Sequence, residues 1–137
     1  MSDNFKQIST KSGFMKHNGG LLIKKISENE FQFKTKITQN HLNRAGITHG
    51  GYIASIIDAG CGSAAHSSVE NNPCVTIALD IKFITPSKEG DEILGTTSIS
   101  KKTKSMIFLV CKLECDGKVT ATASGVWKIL RNKSFPK

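Results

Sequence analysis

The chain has 137 residues, a formal net charge of +8, 38% hydrophobic and 22% charged residues. This excludes a disordered or low-complexity chain and fits one domain spanning 1–137, with a core that needs neither disulfide nor metal. The charge favours an anionic partner, but it is lysine-based: Arg44 and Arg131 are the two arginines, and no nucleic-acid motif accompanies them.

Residues 1–17 are polar with apolar anchors at Phe5, Ile8, Phe14 and Met15, which predicts a short helical segment. Met1-Ser2-Asp3-Asn4-Phe5-Lys6 lacks the apolar stretch of a secretory signal, and no run is long enough to cross a bilayer, so a cytoplasmic location is expected. Asn18-Gly19-Gly20 permits a left-handed helix stop. Two strands are predicted over 21–27 and 30–38, the second with Phe31, Phe33, Thr35 and Ile37 alternating. Residues 39–48 read as an irregular polar loop. From Gly50 to about Val69, Tyr52, Ile53, Ile56 and Ile57 follow helical spacing among many small residues. Apolar and small side chains run nearly all round, which predicts a buried helix.

The remainder reads as β. Val75, Ile77, Leu79, Ile81 and Phe83 alternate, and Pro86 to Gly90 breaks the chain. Two more strands are expected over 91–102 and 105–115, then a two-residue turn at Asp116-Gly117 and a strand from Val119 to Leu130. These strands are expected to pair antiparallel in succession, and 131–137 reads as a polar tail. One sheet needs one apolar cover, and the single long helix supplies it. Cys61, Cys74, Cys111 and Cys115 form no C-x-x-C pair, so reduced thiols are expected rather than zinc or disulfides.

The segment from Asn43 to Asp58 is richest in chemistry. Asp58 is the only carboxylate between Glu30 and Glu70, inside the apolar helix. A lone buried carboxylate is costly unless it is paired, hydrogen-bonded or protonated, which points either to general-base work or to a structural pairing. His49-Gly50-Gly51 opens the same helix, where free amides and the dipole favour an oxyanion. Gly50 and Asp58 are eight residues apart, about 12 Å along a helix, so they cannot act on one carbonyl within a subunit. Two antiparallel copies of the helix would bring them together.

The pattern N-x-x-G-x-x-H-G-G, with Asp nine residues after the His, resembles the hotdog-fold thioesterases, in particular the phenylacetate-degradation (PaaI) type of acyl-CoA thioesterase. The likeness spans roughly residues 15–130. It implies an α+β hotdog fold, an antiparallel sheet wrapped around one long helix. It implies Asp58 as general base or nucleophile, the Gly50 amide as oxyanion donor, and Asn43 and His49 as organisers of the loop and the water. Thr76, ten residues before Pro86, matches the hydroxyl that supports that water. Ala78 departs from the polar residue of many relatives, which bears on acyl preference. The resemblance places CoA along Phe83 to Lys88, including Thr85, beside Gly51, and along the hairpin with Lys101, Lys104 and Ser105. It implies a homodimer or dimer of dimers, and no metal or redox cofactor.

A non-catalytic acyl-CoA-binding module is the alternative. The 49 residues before Gly50 are taken up by strands and a short helix, leaving little room for a DNA-binding segment. A hydratase would pair a His with the helix carboxylate, but His66 is eight residues from Asp58. His17 and His41 read as loop residues, and Trp127 as core.

Overall fold

The computed structural model describes residues 4–131. The elements are β1 (Lys6–Gln7), α1 (Phe14–His17), β2 (Leu22–Lys25), β3 (Glu30–Lys36), a 3-10 turn (Gln39–His41), α2 (Gly50–Ser68), β4 (Cys74–Phe83), β5 (Glu92–Lys102), β6 (Met106–Cys115) and β7 (Lys118–Ile129). The strands form one antiparallel sheet, ordered β1-β2-β3-β5-β6-β7-β4. The sheet curls around α2, which packs on β3 to β7. This is the expected hotdog arrangement.

Period-2 patterning decides which face of each strand looks inward. Ile107, Leu109, Cys111 and Leu113 of β6 are buried, whereas Phe108 and Val110 point out. The Asp116-Gly117 turn has positive φ at both residues, as a two-residue turn between right-twisted strands requires. Gly19 and Gly20 also take positive φ and stop α1.

Four expectations are corrected. Lys6–Gln7 is not helical but pairs with Leu22–Ile23 as an edge strand, and the helix is confined to Phe14–His17. β4 does not pair with β5. β5 is already flanked by β3 and β6, so β4 passes to the far edge and pairs with β7. The connection 84–91 is tied down on the way, with Ile84 and Thr85 amides donating to Thr120 O. A bulge between Thr76 and Ala78 interrupts the alternation of β4, and Ile77 and Phe83 are exposed. Finally, α2 is not buried all round. Tyr52, Ile53, Ile56, Ile57, Cys61, Ala64 and Ala65 face the sheet, while Gly51, Ser55, Asp58 and Gly62 form a stripe that is exposed or half-exposed. Residues 132–137, most of the expected tail, lie outside the described residues.

The distance between α2 and the sheet is set by Phe33. Its fully buried ring lies where a Cβ on either Gly60 of α2 or Gly95 of β5 would stand. Gly62, two residues on, has room: a Cβ there would sit 3.5 Å from Trp127 Nε1. Gly60→Ala is therefore expected to destabilise by about 2 kcal/mol through overpacking, despite its better helix propensity. Gly62→Ala should be neutral or stabilising by up to about 1 kcal/mol. Urea denaturation of the two variants checks the contrast.

Candidate active site

The loop before α2 is built from local hydrogen bonds. Asn43 Oδ1 accepts from Ala45 and Ile47 amides at 2.9 and 3.3 Å, and Asn43 N–H donates to Ile47 O at 2.7 Å. Thr48 and Ser87 are buried and bonded twice, Ser87 Oγ to Thr48 Oγ1 at 2.7 Å and Thr48 N–H to Ser87 O at 2.8 Å. This pair fastens the loop to the connection after β4. Neither residue stood out in the sequence, because an isolated hydroxyl carries no spacing signal.

His41 is the other anchor, and it is buried rather than a loop residue in solvent. Thr38 N–H donates to its Nδ1 at 2.9 Å, so Nε2 carries the proton and donates to Asn18 O at 2.7 Å. The ring stacks on Tyr52 with centroids 3.7 Å apart, and Tyr52 OH bonds Thr35 Oγ1 at 3.3 Å. The His41 carbonyl accepts His49 N–H at 2.8 Å, directly before the first turn of α2. Burial pushes the Tyr52 phenol above its ordinary pKa, and the Thr35 bond partly opposes this.

His49 caps α2: its Nδ1 accepts from Gly51 N–H at 2.8 Å. Nδ1 is thereby occupied, which leaves Nε2 as the ring's other hydrogen-bonding atom. The Tyr52 and Ile53 amides donate back to His49 O. Gly50 N–H is left as the first-turn amide with no acceptor among the described residues. Gly50 lies in a cavity of about 310 Å³ with Asn43, Phe83, Thr85 and Ser87, its backbone beside the Phe83 ring. Lys88 stands next to that cavity, with its ammonium 3.1 Å from Asp91. The Lys88 backbone amide and then its ammonium hold the Asp91 carboxyl below the usual range.

Asp58 stands on the exposed stripe of α2, so within one chain it is not the buried carboxylate that its apolar neighbours suggest. Thr76 Oγ1 donates to its Oδ1 at 2.6 Å. The hydroxyl expected to support a water thus also fixes the carboxylate. Asp58 and Thr76 open into a separate cavity of about 690 Å³ between α2, β4 and the N-terminal arm. Gly50 and Asp58 accordingly line different cavities in one chain.

Lys101, Lys104 and Ser105 sit at the β5–β6 hairpin, at the opposite end of α2 from Gly50. Lys102 Nζ donates to Ser68 O at 3.0 Å there, and Arg131 donates to Lys104 O. One chain therefore splits the CoA candidates into two groups, about 27 Å apart along the helix.

The other candidates are structural. His66 Nδ1 bonds Asn72 O at 2.8 Å. Cys61 is buried, and its thiol is pushed well up, first by a hydrogen bond with Cys111 and then by burial, which suits packing rather than nucleophilic attack. Among the described residues no group of three or more His, Cys, Asp or Glu side chains could hold a metal, and no helix is long and apolar enough to cross a membrane.

His41→Leu keeps the bulk but leaves Thr38 N–H and Asn18 O without ring partners. A loss of about 2–3 kcal/mol is expected, read as a lower urea midpoint.

A sequence profile of the thioesterase superfamily matches residues 45–122. A Saccharolobus solfataricus protein with a provisional esterase name is 33% identical over 104 residues, covering 76% of this chain and 71% of that one. Acyl-coenzyme A thioesterase 13 of Mus musculus is 32% identical over 73 residues, 53% of this chain, and the match spans about half (52%) of the mouse protein. Zebra fish thioesterase superfamily member 2 superposes with a TM-score of 0.80 at 22% identity, covering 89% of this chain and 90% of that chain. The E. coli PaaI protein of the phenylacetic acid degradation operon gives 0.77 at 22%, covering 84% and 82%. A hypothetical thioesterase of Streptococcus pneumoniae, solved with coenzyme A, gives 0.75 at 20%, covering 91% and 94%. These solved structures share the fold, and the matched residues 45–122 hold the capped turn, all of α2 and Thr76. The chain belongs to the thioesterase superfamily, a thioester hydrolase by that membership and a hotdog by its architecture.

Proposed function

We propose that the chain hydrolyses an acyl-CoA thioester to the free acid and coenzyme A, in a site shared by two copies. The observation that carries this is the placement of Asp58. It is outward-facing, fixed by Thr76, and about 12 Å along α2 from the Gly50 amide that must meet the same carbonyl. Antiparallel packing of α2 on a second α2 brings Gly50 of one protomer beside Asp58 of its partner. The free edge of β4, with Ile77 and Phe83 exposed, supports a second copy there. The coenzyme A bound by the S. pneumoniae protein supports the ligand class.

In this reading Asp58 takes a proton from water, and the water oxygen adds to the thioester carbon. The carbonyl oxygen, gaining charge, accepts from Gly50 N–H at the positive end of α2. The C–S bond breaks, and the proton passes from Asp58 to the departing thiolate. Thr76 holds the carboxylate, while Asn43 and the His49 cap hold the turn that aims the amide. Gly51 N–H is already taken by His49, so its part is to let a ligand approach the backbone. Phe83, Thr85 and Lys88 flank the carbonyl end of CoA. Ser68 is ten residues, about 15 Å, beyond Asp58. The hairpin beside it carries Lys101, Lys104 and Ser105, which suit the phosphates of a CoA bound at another copy's site. The reaction needs no metal or redox cofactor, and the reading includes no nucleic acid and a cytoplasmic location.

Release of CoA thiol from aryl- and alkyl-CoA thioesters tests this. Asp58→Asn is expected to lower kcat about 10²- to 10⁴-fold while acyl-CoA still binds. Thr76→Val, which loses the donor but keeps the shape, should cost about tenfold. Binding without release by the wild type would make the chain a non-catalytic acyl-CoA module. Full turnover by Asp58→Asn would remove Asp58 from the chemistry.

A further inference from the structure

The cavity at Asp58 continues well past the carboxylate. It runs along the half-exposed face of α2 through Ala59, Gly62 and Ser63 to Ser67, nine residues or about 13 Å from Asp58. One wall is Cys74, Thr76 and Trp127, from the β4–β7 edge. The other wall belongs to the N-terminal arm and β2: Ile8, Met15 and Ile23 are half-buried and packed against the core, with Ser9 and Lys11 beside them, and His66 adds a polar group on the helix side. Ile8 is fixed by its amide on Leu21 O, and Met15 O accepts Gly20 N–H at 2.7 Å. The arm lies beside the helix over much of its length. Its Asn18 end bonds His41, which stacks on Tyr52 near the start of α2, and Ile8 shares a second cavity with Ser67 near the end.

We infer that this trough is the acyl-group site, and that it is built for an extended aliphatic acyl chain. The inference rests on Asp58 being the group that activates water. With the thioester carbon at Asp58, the chain's direction is set: it lies over Gly62 toward Ser67, between Trp127 and the arm. Gly62 makes the floor smooth at the point where a side chain would obstruct it. A length of about 13 Å is well beyond one aromatic ring, so a compact aryl group leaves most of the apolar wall in water. The N-terminal arm thus determines chain-length preference without touching the reacting atoms.

The test is the chain-length profile of kcat/KM from butyryl- to dodecanoyl-CoA, with phenylacetyl-CoA alongside, for full-length protein. Wild type should gain up to about fourfold per methylene buried, then level off, with phenylacetyl-CoA well below the plateau. Gly62→Leu places a side chain in the trough and should lower the dodecanoyl-to-butyryl ratio at least tenfold. Ile8→Ser, on the arm and away from α2, should lower the same ratio by a smaller factor and guards against misfolding of the first variant. A flat wild-type profile, or ratios unchanged in both variants, overturns the inference while leaving hydrolysis intact. Titration of the Asp58→Asn protein separates the two readings. Tighter binding of dodecanoyl-CoA than of butyryl-CoA, lost on adding Gly62→Leu, supports the trough even if wild type hydrolyses nothing. Equal binding of the two thioesters overturns it.

Discussion

One aromatic ring spaces the whole molecule. Phe33 projects from β3 into the gap that two glycines leave, Gly60 on the helix and Gly95 on the neighbouring strand. With the helix held at that distance, its Ile and Tyr side chains complete the core, each fully buried residue contributing about 1.5–3 kcal/mol. The same seating decides which stripe of α2 remains uncovered. Asp58 is therefore directed away from the sheet by a contact at Gly60 on the opposite side of the helix, two residues and about half a turn away. Folding stability and the orientation of the carboxylate share one cause.

The start of the helix is held differently, by polar contacts rather than by packing. His41, Thr48 and Ser87 are buried, and their hydrogen bonds are met within the loop, across to the connection after β4 and, for His41, at Asn18 after α1. Buried polar groups are costly when unmatched and directional when matched. They suit a segment that, in the proposed reaction, presents one amide at a defined angle. The glycines of the turn supply close approach, and the surrounding polar frame supplies rigidity. A loop made only of glycines would offer access without aim.

Much of this was legible in the residues. The alternation of Phe31 and Phe33, the helical spacing from Tyr52 to Ile57, and the Asp116-Gly117 turn each report local physics, and each element formed where expected. Gly50 and Asp58 drew attention from the residues themselves, Asn43 and His49 through the resemblance to the thioesterases, and the helix rise alone separated Gly50 from Asp58. What escaped was set by long-range packing. The exposure of Asp58 depends on where Phe33 seats the helix. The passage of β4 to the far edge depends on β3 having claimed β5. The strand character of Lys6–Gln7 comes from pairing with Leu22–Ile23, since two polar residues carry no pattern of their own. His41 looked like a loop histidine because its partners, Asn18 and Tyr52, are distant in sequence.

The placement of β4 also has a consequence in time. Among the described residues its one strand partner is β7, the last of them in chain order: Asp80 pairs with Ser124 and Phe83 with Ala121. At typical synthesis rates the gap between the two is on the order of seconds. Through that interval β4 has neither edge hydrogen-bonded, whereas the β5–β6 hairpin can close as soon as it emerges. The strand is not left wholly defenceless. Its bulge at Thr76 to Ala78 breaks the flat run of donors and acceptors, and Asp80 and Lys82 put charge on its outer half. The features that make β4 a poor template for strangers while it waits are set beside the residue that later steadies Asp58.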